Sequence, residues 1–162
     1  LTGLPNRFLF RDRFEQAVQQ HIRSGNSFSL LLLDLDHFKE INDQYGHEVG
    51  DTVLVESARR MTGEIRACDT VARLGGDEFV VLLANTLDSA DALAVAEKTR
   101  HAIAQPLESA GCLLRITPSI GVAMYPADGK TLDELRRAAD EAMYEAKKNG
   151  RNAVSGFRQA AG

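Results

Sequence analysis

The feature that most limits how this chain can fold is a pair of apolar runs on either side of Gly75-Gly76-Asp77-Glu78. Glycine adopts positive φ without steric cost, so the pattern predicts a β-hairpin that turns at the two glycines. The two acids then begin the returning strand, with their side chains on opposite faces. A carboxylate beside a glycine turn suits a cation that carries a phosphate. An ordinary hairpin with a solvated acidic tip has the same pattern.

The composition indicates one domain with a sizeable core. The chain has 162 residues, of which 44% are hydrophobic and 26% are charged. The net charge of -4 gives no basic surface for nucleic acid, so we expect no nucleic-acid partner and local cations or metal ions for any phosphate-bearing ligand. Neither Cys68 and Cys112 nor the four histidines have the spacing of metal ligands.

The cysteine usage favours reduced thiols in a cytoplasmic domain. No apolar run approaches the roughly 20 residues that span a bilayer, so we expect no membrane contact by this domain, while a parent protein could still be anchored. The first residue is Leu1 rather than an initiator Met. We therefore expect a single domain over residues 1–162, cut from a longer protein.

Apolar periodicity and turn residues outline the elements. The pattern predicts strands over 27–35, 113–125 and 152–157, and helices from a cap at Asn6 to Gly25, over 37–44, from 48 to about 65, over 89–105, and from Leu132 to an αL cap at Gly150. The four residues 159–162 are expected to be loose. Because a hairpin interrupts the alternation of strands and helices, we expect an α+β fold with a mixed central sheet and helices packed around it.

Asp34 follows a buried apolar run and precedes a helix. If its strand lies beside the hairpin, Asp34 meets Asp77 or Glu78 across the sheet. Clustered carboxylates with backbone N–H groups nearby can hold Mg²⁺ together with substrate phosphates, and a pair of such ions can activate a ribose hydroxyl. The alternative is that Asp34 and Asp36 only cap the helix that follows.

Several separated motifs, taken together, closely resemble the GGDEF-domain diguanylate cyclases. They are the hairpin sequence and residues 1–7, 34–51, 119–123, 139–147 and 150–152. The resemblance covers nearly the whole chain and implies a palm-like α+β domain related to nucleotide cyclases and polymerases. It implies an enzyme that joins two GTP molecules into cyclic di-GMP and releases pyrophosphate.

The resemblance also implies the metal site and the reacting groups. Asp34 and Glu78 would bind Mg²⁺ with the carbonyl of Leu35, with two ions per site and Mn²⁺ as a possible substitute. Asp77 would be the essential acid, which either helps to deprotonate the attacking 3′-hydroxyl or binds metal. Lys39 would complete the catalytic set with these three acids, at the phosphates.

Other positions match the family's nucleotide contacts. Gly75 and Gly76 would admit the nucleotide, and Phe38 would offer its backbone N–H to the phosphates beside Lys39. Lys147 and Arg151 would point toward the terminal phosphate; a solvated basic helix end that favours the helix dipole is the alternative explanation.

Asn42 and Asp51 match the pair that recognises guanine. Guanine presents N1–H and N2–H donors that a carboxylate accepts together, whereas adenine lacks that donor pair. The resemblance therefore implies GTP as the substrate.

The product has two-fold symmetry and one domain binds one GTP, so turnover requires a homodimer in which two domains face each other. Arg66 and Asp69 match the family's inhibitory site for cyclic di-GMP, with Lys98 near the place of a secondary arginine. An arginine at a helix end that bonds a nearby aspartate is the alternative explanation of the first two.

Two other functions stay open. Residues 105–129 resemble cyclase domains that are attached to cyclic di-GMP phosphodiesterase domains, so this domain could instead be a non-catalytic GTP- or cyclic di-GMP-binding regulatory module. A structural dimerisation domain would leave the acids unexplained. Covalently attached sensor or phosphodiesterase domains are expected in the parent protein.

Overall fold

The computed structural model describes residues 1–157, so the expected loose tail at 159–162 lies outside the described residues. The helices are α1 (Arg7–Ser24), α2 (Phe38–Tyr45), α3 (His47–Gly63), α4 (Ser89–Ile103) and α5 (Leu132–Lys148). The strands are β1 (Phe28–Leu35), β2 (Thr70–Gly75), β3 (Glu78–Leu83), β4 (Leu107–Ser109), β5 (Cys112–Leu114), β6 (Pro118–Tyr125) and β7 (Ala153–Gly156).

Five of the strands form one mixed sheet in the order β2-β3-β1-β6-β7. All neighbours in it are antiparallel except β6 and β7, which are parallel. Helices cover both faces, so the side chains of β1 alternate between two apolar clusters: Leu31 and Leu33 pack with α3 and α4, and Leu30 and Leu32 pack with α1 and α5. The expected α+β fold with a mixed central sheet is confirmed.

The hairpin is present, but its turn lies one residue later than predicted. Gly76 and Asp77 form the turn, and Gly75 pairs with Glu78 at the end of β2. The ladder shifts register between Arg73 and Gly75, which is a β-bulge that adds one residue to β2. Positive φ is still needed at both glycines, with 151° at Gly75 and 52° at Gly76. Asp77 therefore sits in the turn itself.

Helix boundaries follow their capping residues in part. The Asn6 side chain accepts from the Leu9 N–H and α1 ends before Gly25, as predicted, and Gly25 adopts the αL conformation. The predicted glycine at the end of α5 does close the helix: Gly150 follows the cap residue Asn149, its N–H donates to the Lys147 carbonyl and the Arg151 N–H donates to the Ala146 carbonyl, although the Gly150 φ of 106° lies beyond the usual αL value. Within residues 1–157, no helix is both long and apolar enough to cross a membrane.

The segment before β6 holds a feature that periodicity missed. A small separate hairpin of β4 and β5 precedes β6, where the sequence predicted one strand region from residue 113. Three-residue strands are too short for an alternating pattern to be recognised. Pro118 begins β6, a position in a strand where a missing N–H donor is tolerated.

One glycine sets the distance between α5 and the sheet. A Cβ atom at Gly121 of β6 would lie 1.9 Å from the Ala139 carbonyl oxygen and 2.4 Å from the Met143 nitrogen, both in the α5 backbone. Only a residue without a Cβ atom lets the helix backbone lie this close to the strand. The distance between α5 and the sheet is thereby fixed. This also fixes the Cα positions of the α5 side chains that extend beyond the ends of the strands.

Candidate active site

Acidic side chains from β1 and β3 meet at one end of the sheet. Asp34 stands directly opposite Glu78 in the antiparallel ladder, and the Leu35 N–H donates to the Asp77 carbonyl oxygen over 3.2 Å. The Asp34 and Glu78 side chains are 21% and 32% exposed, so solvent and small ions reach both. The expectation that the Asp34 strand lies beside the hairpin is confirmed, and the two glycines are exposed at the same end.

The surroundings of Asp77 disfavour its ionised form. Burial, followed by the negative charge of Asp34 and a hydrogen bond between the two side chains, raises the pKa of Asp77 from its ordinary 3.8 to about 6, while Lys147 and a backbone hydrogen bond oppose the rise. Two carboxyl groups this close cannot both ionise cheaply without a compensating cation. The Asp34–Asp77 pair thus provides oxygen ligands and an excess of negative charge, which are what Mg²⁺ binds.

The acids do not form a finished metal cage. Among residues 1–157, no three His, Cys, Asp or Glu side chains are arranged to hold one metal ion. Two cations of α5 occupy the acids instead: Lys147 Nζ lies 2.6 Å from Asp34 Oδ2, and Arg136 Nη2 lies 3.1 Å from Glu78 Oε1. A divalent ion at this end of the sheet would compete with these two cations, each of which holds one oxygen of its acid.

Sequence reasoning missed Arg136. Nothing local to residue 136 indicates a role, because its partner is 58 residues away in the chain. One indication was available: Arg136 and Lys147 are eleven residues apart, about three helical turns, so both project from the same side of α5. Lys147 was expected at a terminal phosphate, and in this structure it bonds the expected metal ligand Asp34.

Asp36 does not cap α2, and neither does Asp34. The helix begins after His37, which has φ 58°, and no side chain caps it. Asp36 is instead buried, and its carboxylate accepts from Thr117 Oγ1 at 2.8 Å, Ser119 Oγ at 2.7 Å and the Asn152 N–H at 3.0 Å. The capping alternative is therefore wrong for both acids, because the chain reverses at His37 and turns Asp36 inward.

The same network fixes the corner that carries Arg151. Arg151 and Asn152 have φ of 62° and 44°, which is costly for residues with side chains and needs support from neighbours. Asp36 supplies it at the Asn152 N–H, and Arg100 Nη1 donates to Asn152 Oδ1 at 2.9 Å. Arg151 itself is exposed beyond the end of α5.

The start of α2 lies next to the acids. Phe38 is buried and is the first residue of the helix, so its N–H group belongs to the unpaired first turn, and Lys39 beside it is exposed. Helices α2 and α3 then approach closely, since a Cβ atom at Gly50 would lie 1.8 Å from Asn42 Oδ1. The structure thereby brings Asn42 beside the segment that carries Asp51, whose side chain is exposed.

Arg66 and Asp69 form a second polar site away from the acids. The Asp69 side chain is only 2% exposed and accepts from the Arg66 N–H, the Arg66 guanidinium and the Ala84 N–H, the last at 2.9 Å. Hydrogen bonding to Asp69 raises the pKa of Arg66. The arginine also donates to the Ala84 carbonyl, yet its side chain stays 58% exposed. Both residues line a cavity of about 380 Å³.

Lys98 is not brought to that site. It is exposed on α4 and lines a different cavity with Arg59, Arg60 and His101. Asp91, near the start of the same helix, is the α4 residue whose charge acts on Arg66. The assignment of Lys98 to product binding stays a prediction without a supporting contact among the described residues.

Known proteins are similar to this chain over nearly its whole length. The family model described as "Diguanylate cyclase, GGDEF domain" matches residues 1–153. The bifunctional diguanylate cyclase/cyclic di-GMP phosphodiesterase MucR of Pseudomonas aeruginosa is 51% identical over 160 residues, which are 99% of this chain and 23% of that protein. The response regulator PleD of Caulobacter vibrioides is 43% identical over 159 residues, which are 96% of this chain and 35% of PleD.

Solved structures agree in fold as well as in sequence. The crystal structure of the GGDEF domain of TpbB from Pseudomonas aeruginosa has a TM-score of 0.93 at 43% identity, and the match covers 96% of this chain and 98% of that one. DgcB from Caulobacter crescentus, crystallised as its coiled coil and GGDEF domain in complex with c-di-GMP, has a TM-score of 0.85 at 29% identity over 96% of this chain and 82% of that one. The chain spans about a third or less of MucR and PleD, but the match fills almost all of it. This chain therefore belongs to the GGDEF-domain family of diguanylate cyclases.

Proposed function

We propose that this domain is an active diguanylate cyclase, which condenses two GTP molecules into cyclic di-GMP and releases two pyrophosphates. The observation that carries the proposal is the pairing of Asp34 with Glu78 across β1 and β3, beside a turn whose glycines leave room for a nucleotide. Family membership supports the same reaction, since the relatives include MucR and TpbB, whose names describe them as diguanylate cyclases.

Mg²⁺ fits this end of the sheet by its chemistry. Asp34 and Glu78 would hold it, together with the carbonyl of Leu35, and Asp77 lies close enough to share a cation with Asp34. When bound, the metal would stabilise negative charge on the α-phosphate and the leaving pyrophosphate. Two ions per site, with Mn²⁺ as a substitute, are part of the proposal.

The remaining roles belong to the protein's own groups. Asp77, whose pKa of about 6 lies near neutrality, would accept the proton of the attacking 3′-hydroxyl. The Phe38 N–H and the Lys39 ammonium would bind the phosphates at the start of α2. Lys147, once released from Asp34, and Arg151 would bind the terminal phosphate.

Asn42 and Asp51 would orient the guanine. The close packing of α2 on α3 at Gly50 supports this, because it holds the Asn42 side chain beside the Asp51 segment. A carboxylate that accepts from both N1–H and N2–H loses its partners when adenine replaces guanine, so GTP is preferred over ATP.

Turnover would need two such domains. Each domain holds one GTP, and the 3′-hydroxyl of each must attack the α-phosphate of the other, which calls for a two-fold arrangement of two copies. We place the reaction in the cytoplasm, in a longer protein with sensor or phosphodiesterase domains, an arrangement that the bifunctional MucR relative supports.

The direct test measures cyclic di-GMP formed from GTP and Mg²⁺ as a function of protein concentration. We expect a rate per protomer that rises with concentration, since a monomer binds GTP but cannot complete the product. Glu78→Gln should abolish product formation while the fold is kept. GTP binding without any product from a dimeric sample would reject the cyclase proposal and favour the non-catalytic binding module.

Cyclic di-GMP would also act as an inhibitor at Arg66 and Asp69. The exposed guanidinium of Arg66 can grip guanine edges and phosphates, while Asp69 holds it in place from a buried position. The complex of the DgcB GGDEF domain with c-di-GMP supports product binding within the family. Arg66→Ala should remove inhibition by added product without lowering the initial rate.

A further inference from the structure

Both acids of the cross-strand pair are already bound by cations, and both cations come from α5. Lys147 holds Asp34 at 2.6 Å, and Arg136 holds Glu78 at 3.1 Å. With Asp77 included, three carboxylates face two cations, so the group carries about one net negative charge when all are ionised. The charge that would attract a divalent ion is therefore largely compensated by the protein itself.

The backbone positions from which Arg136 and Lys147 extend are fixed. The α5 backbone rests on Gly121 of β6, where even a Cβ atom would collide with it. Arg136 and Lys147 project from the same side of this helix, about three turns apart. Moving the helix to free the acids would disrupt its packing on the sheet. Rotating the long side chains of Arg136 and Lys147 requires much less free energy.

We propose that Arg136 is a positioning residue of the metal site, which holds the Glu78 carboxylate in the metal-free protein and competes with the divalent ion for it. The inference rests on the proposed function, because it takes Glu78 as a metal ligand. Arg136 is 46% exposed, so its guanidinium can swing into water once an ion binds Glu78. The ion pair then lowers the affinity for metal instead of blocking it.

The strength of the competition between Arg136 and the divalent ion follows from the exposure of the Arg136–Glu78 ion pair. Half-exposed ion pairs are weak, and a guanidinium near a divalent ion adds modest repulsion through solvent, so removal of Arg136 should tighten metal binding about three- to tenfold. Lys147 is a poorer place to test the idea, because it is also expected to contact substrate phosphate.

The test measures Mn²⁺ binding to the full chain without nucleotide, by the electron paramagnetic resonance signal of free Mn²⁺. Arg136→Gln is compared with Arg137→Gln, which removes the same charge from the next exposed position of α5. We expect the dissociation constant of Arg136→Gln to fall about three- to tenfold and that of Arg137→Gln to change less than about twofold. Arg136→Ala should behave like Arg136→Gln, and Arg136→Lys should stay close to the parent protein.

Several results would overturn the proposal: an unchanged or weaker affinity in Arg136→Gln and Arg136→Ala, an equal gain in the Arg137→Gln control, or no Mn²⁺ binding by any variant. Cyclic di-GMP synthesis by the parent protein, measured in parallel, separates this failure from that of the proposed function. Product formed together with equal Mn²⁺ affinities would leave the cyclase proposal intact and remove Arg136 from the metal site.

Discussion

Replacement of Asp77 by asparagine tests the electrostatics of the site in the protein without metal. The asparagine side chain would keep the size and hydrogen-bonding ability of the aspartate and remove the charge that faces Asp34. In the folded protein burial and Asp34 raise the pKa of Asp77 to about 6 from the ordinary value of 3.8, so ionisation of this group opposes folding. The substitution should therefore stabilise the metal-free protein at neutral pH.

The sign and the pH window follow from this pKa. A group whose pKa is raised by folding gives its full stabilisation below pH 3.8 and loses it progressively as the pH rises through about 6. The full difference would correspond to about 3 kcal/mol, but Asp77 keeps contact with water, so screening reduces the expected gain at pH 7.5 to about 1 kcal/mol. For a domain of this size that raises Tm by about 2–4 °C.

The assay is thermal unfolding in a chelating buffer from pH 4.5 to 8. Asp77→Asn should unfold at a higher temperature than the parent protein at pH 7.5, and the difference should shrink steadily as the pH falls from about 6 to 4.5. Asp140→Asn, which changes an exposed acid on α5, controls for net charge. A stabilisation that is independent of pH, or that the control reproduces, would show that repulsion between Asp77 and Asp34 is not its cause.

Three further predictions rest on packing and hydrogen bonds. Gly121→Ala forces a Cβ atom onto the α5 backbone and should lower the free energy of unfolding by about 3 kcal/mol or more in urea titrations, whereas Gly63→Ala, which meets no atom within 4 Å, should be neutral or slightly stabilising. Asp36→Asn leaves its buried donors poorly paired, so it should cost about 1–3 kcal/mol and raise the KM for GTP, measured by steady-state kinetics, because the Arg151 corner loosens. Asp69→Ala should lower Tm by several degrees because it removes the acceptor of the Ala84 N–H, and Arg66→Ala should lower it much less; equal losses would contradict the separation of a structural and a binding role.

The sequence predicted the parts of the site that depend on strand order. The apolar run before Asp34 and the hairpin around Glu78 both indicate buried strands, and their pairing puts the two acids opposite each other. Local turn rules placed the hairpin turn one residue early, because the bulge in β2 depends on pairing across the whole ladder and not on the two glycines alone.

Contacts between distant parts of the chain escaped prediction. The Arg136–Glu78 ion pair depends on the height of α5 over β6, and the burial of Asp36 depends on the corner at Asn152. No pattern of propensity or periodicity carries such distances. Lys147 was recognised as a functional cation only through the family resemblance. Its contact with Asp34 could be seen only in the structure.

The close seat of α5 on the sheet has a consequence for how such domains can differ from one another. Because Gly121 fixes α5 on the sheet, exchanging the exposed side chain at position 136 leaves the backbone that carries the acids in place and changes the charge and the contact at Glu78. Under the proposed competition between Arg136 and a divalent ion, a single substitution at this position would shift the metal concentration that the domain requires while the fold stays the same.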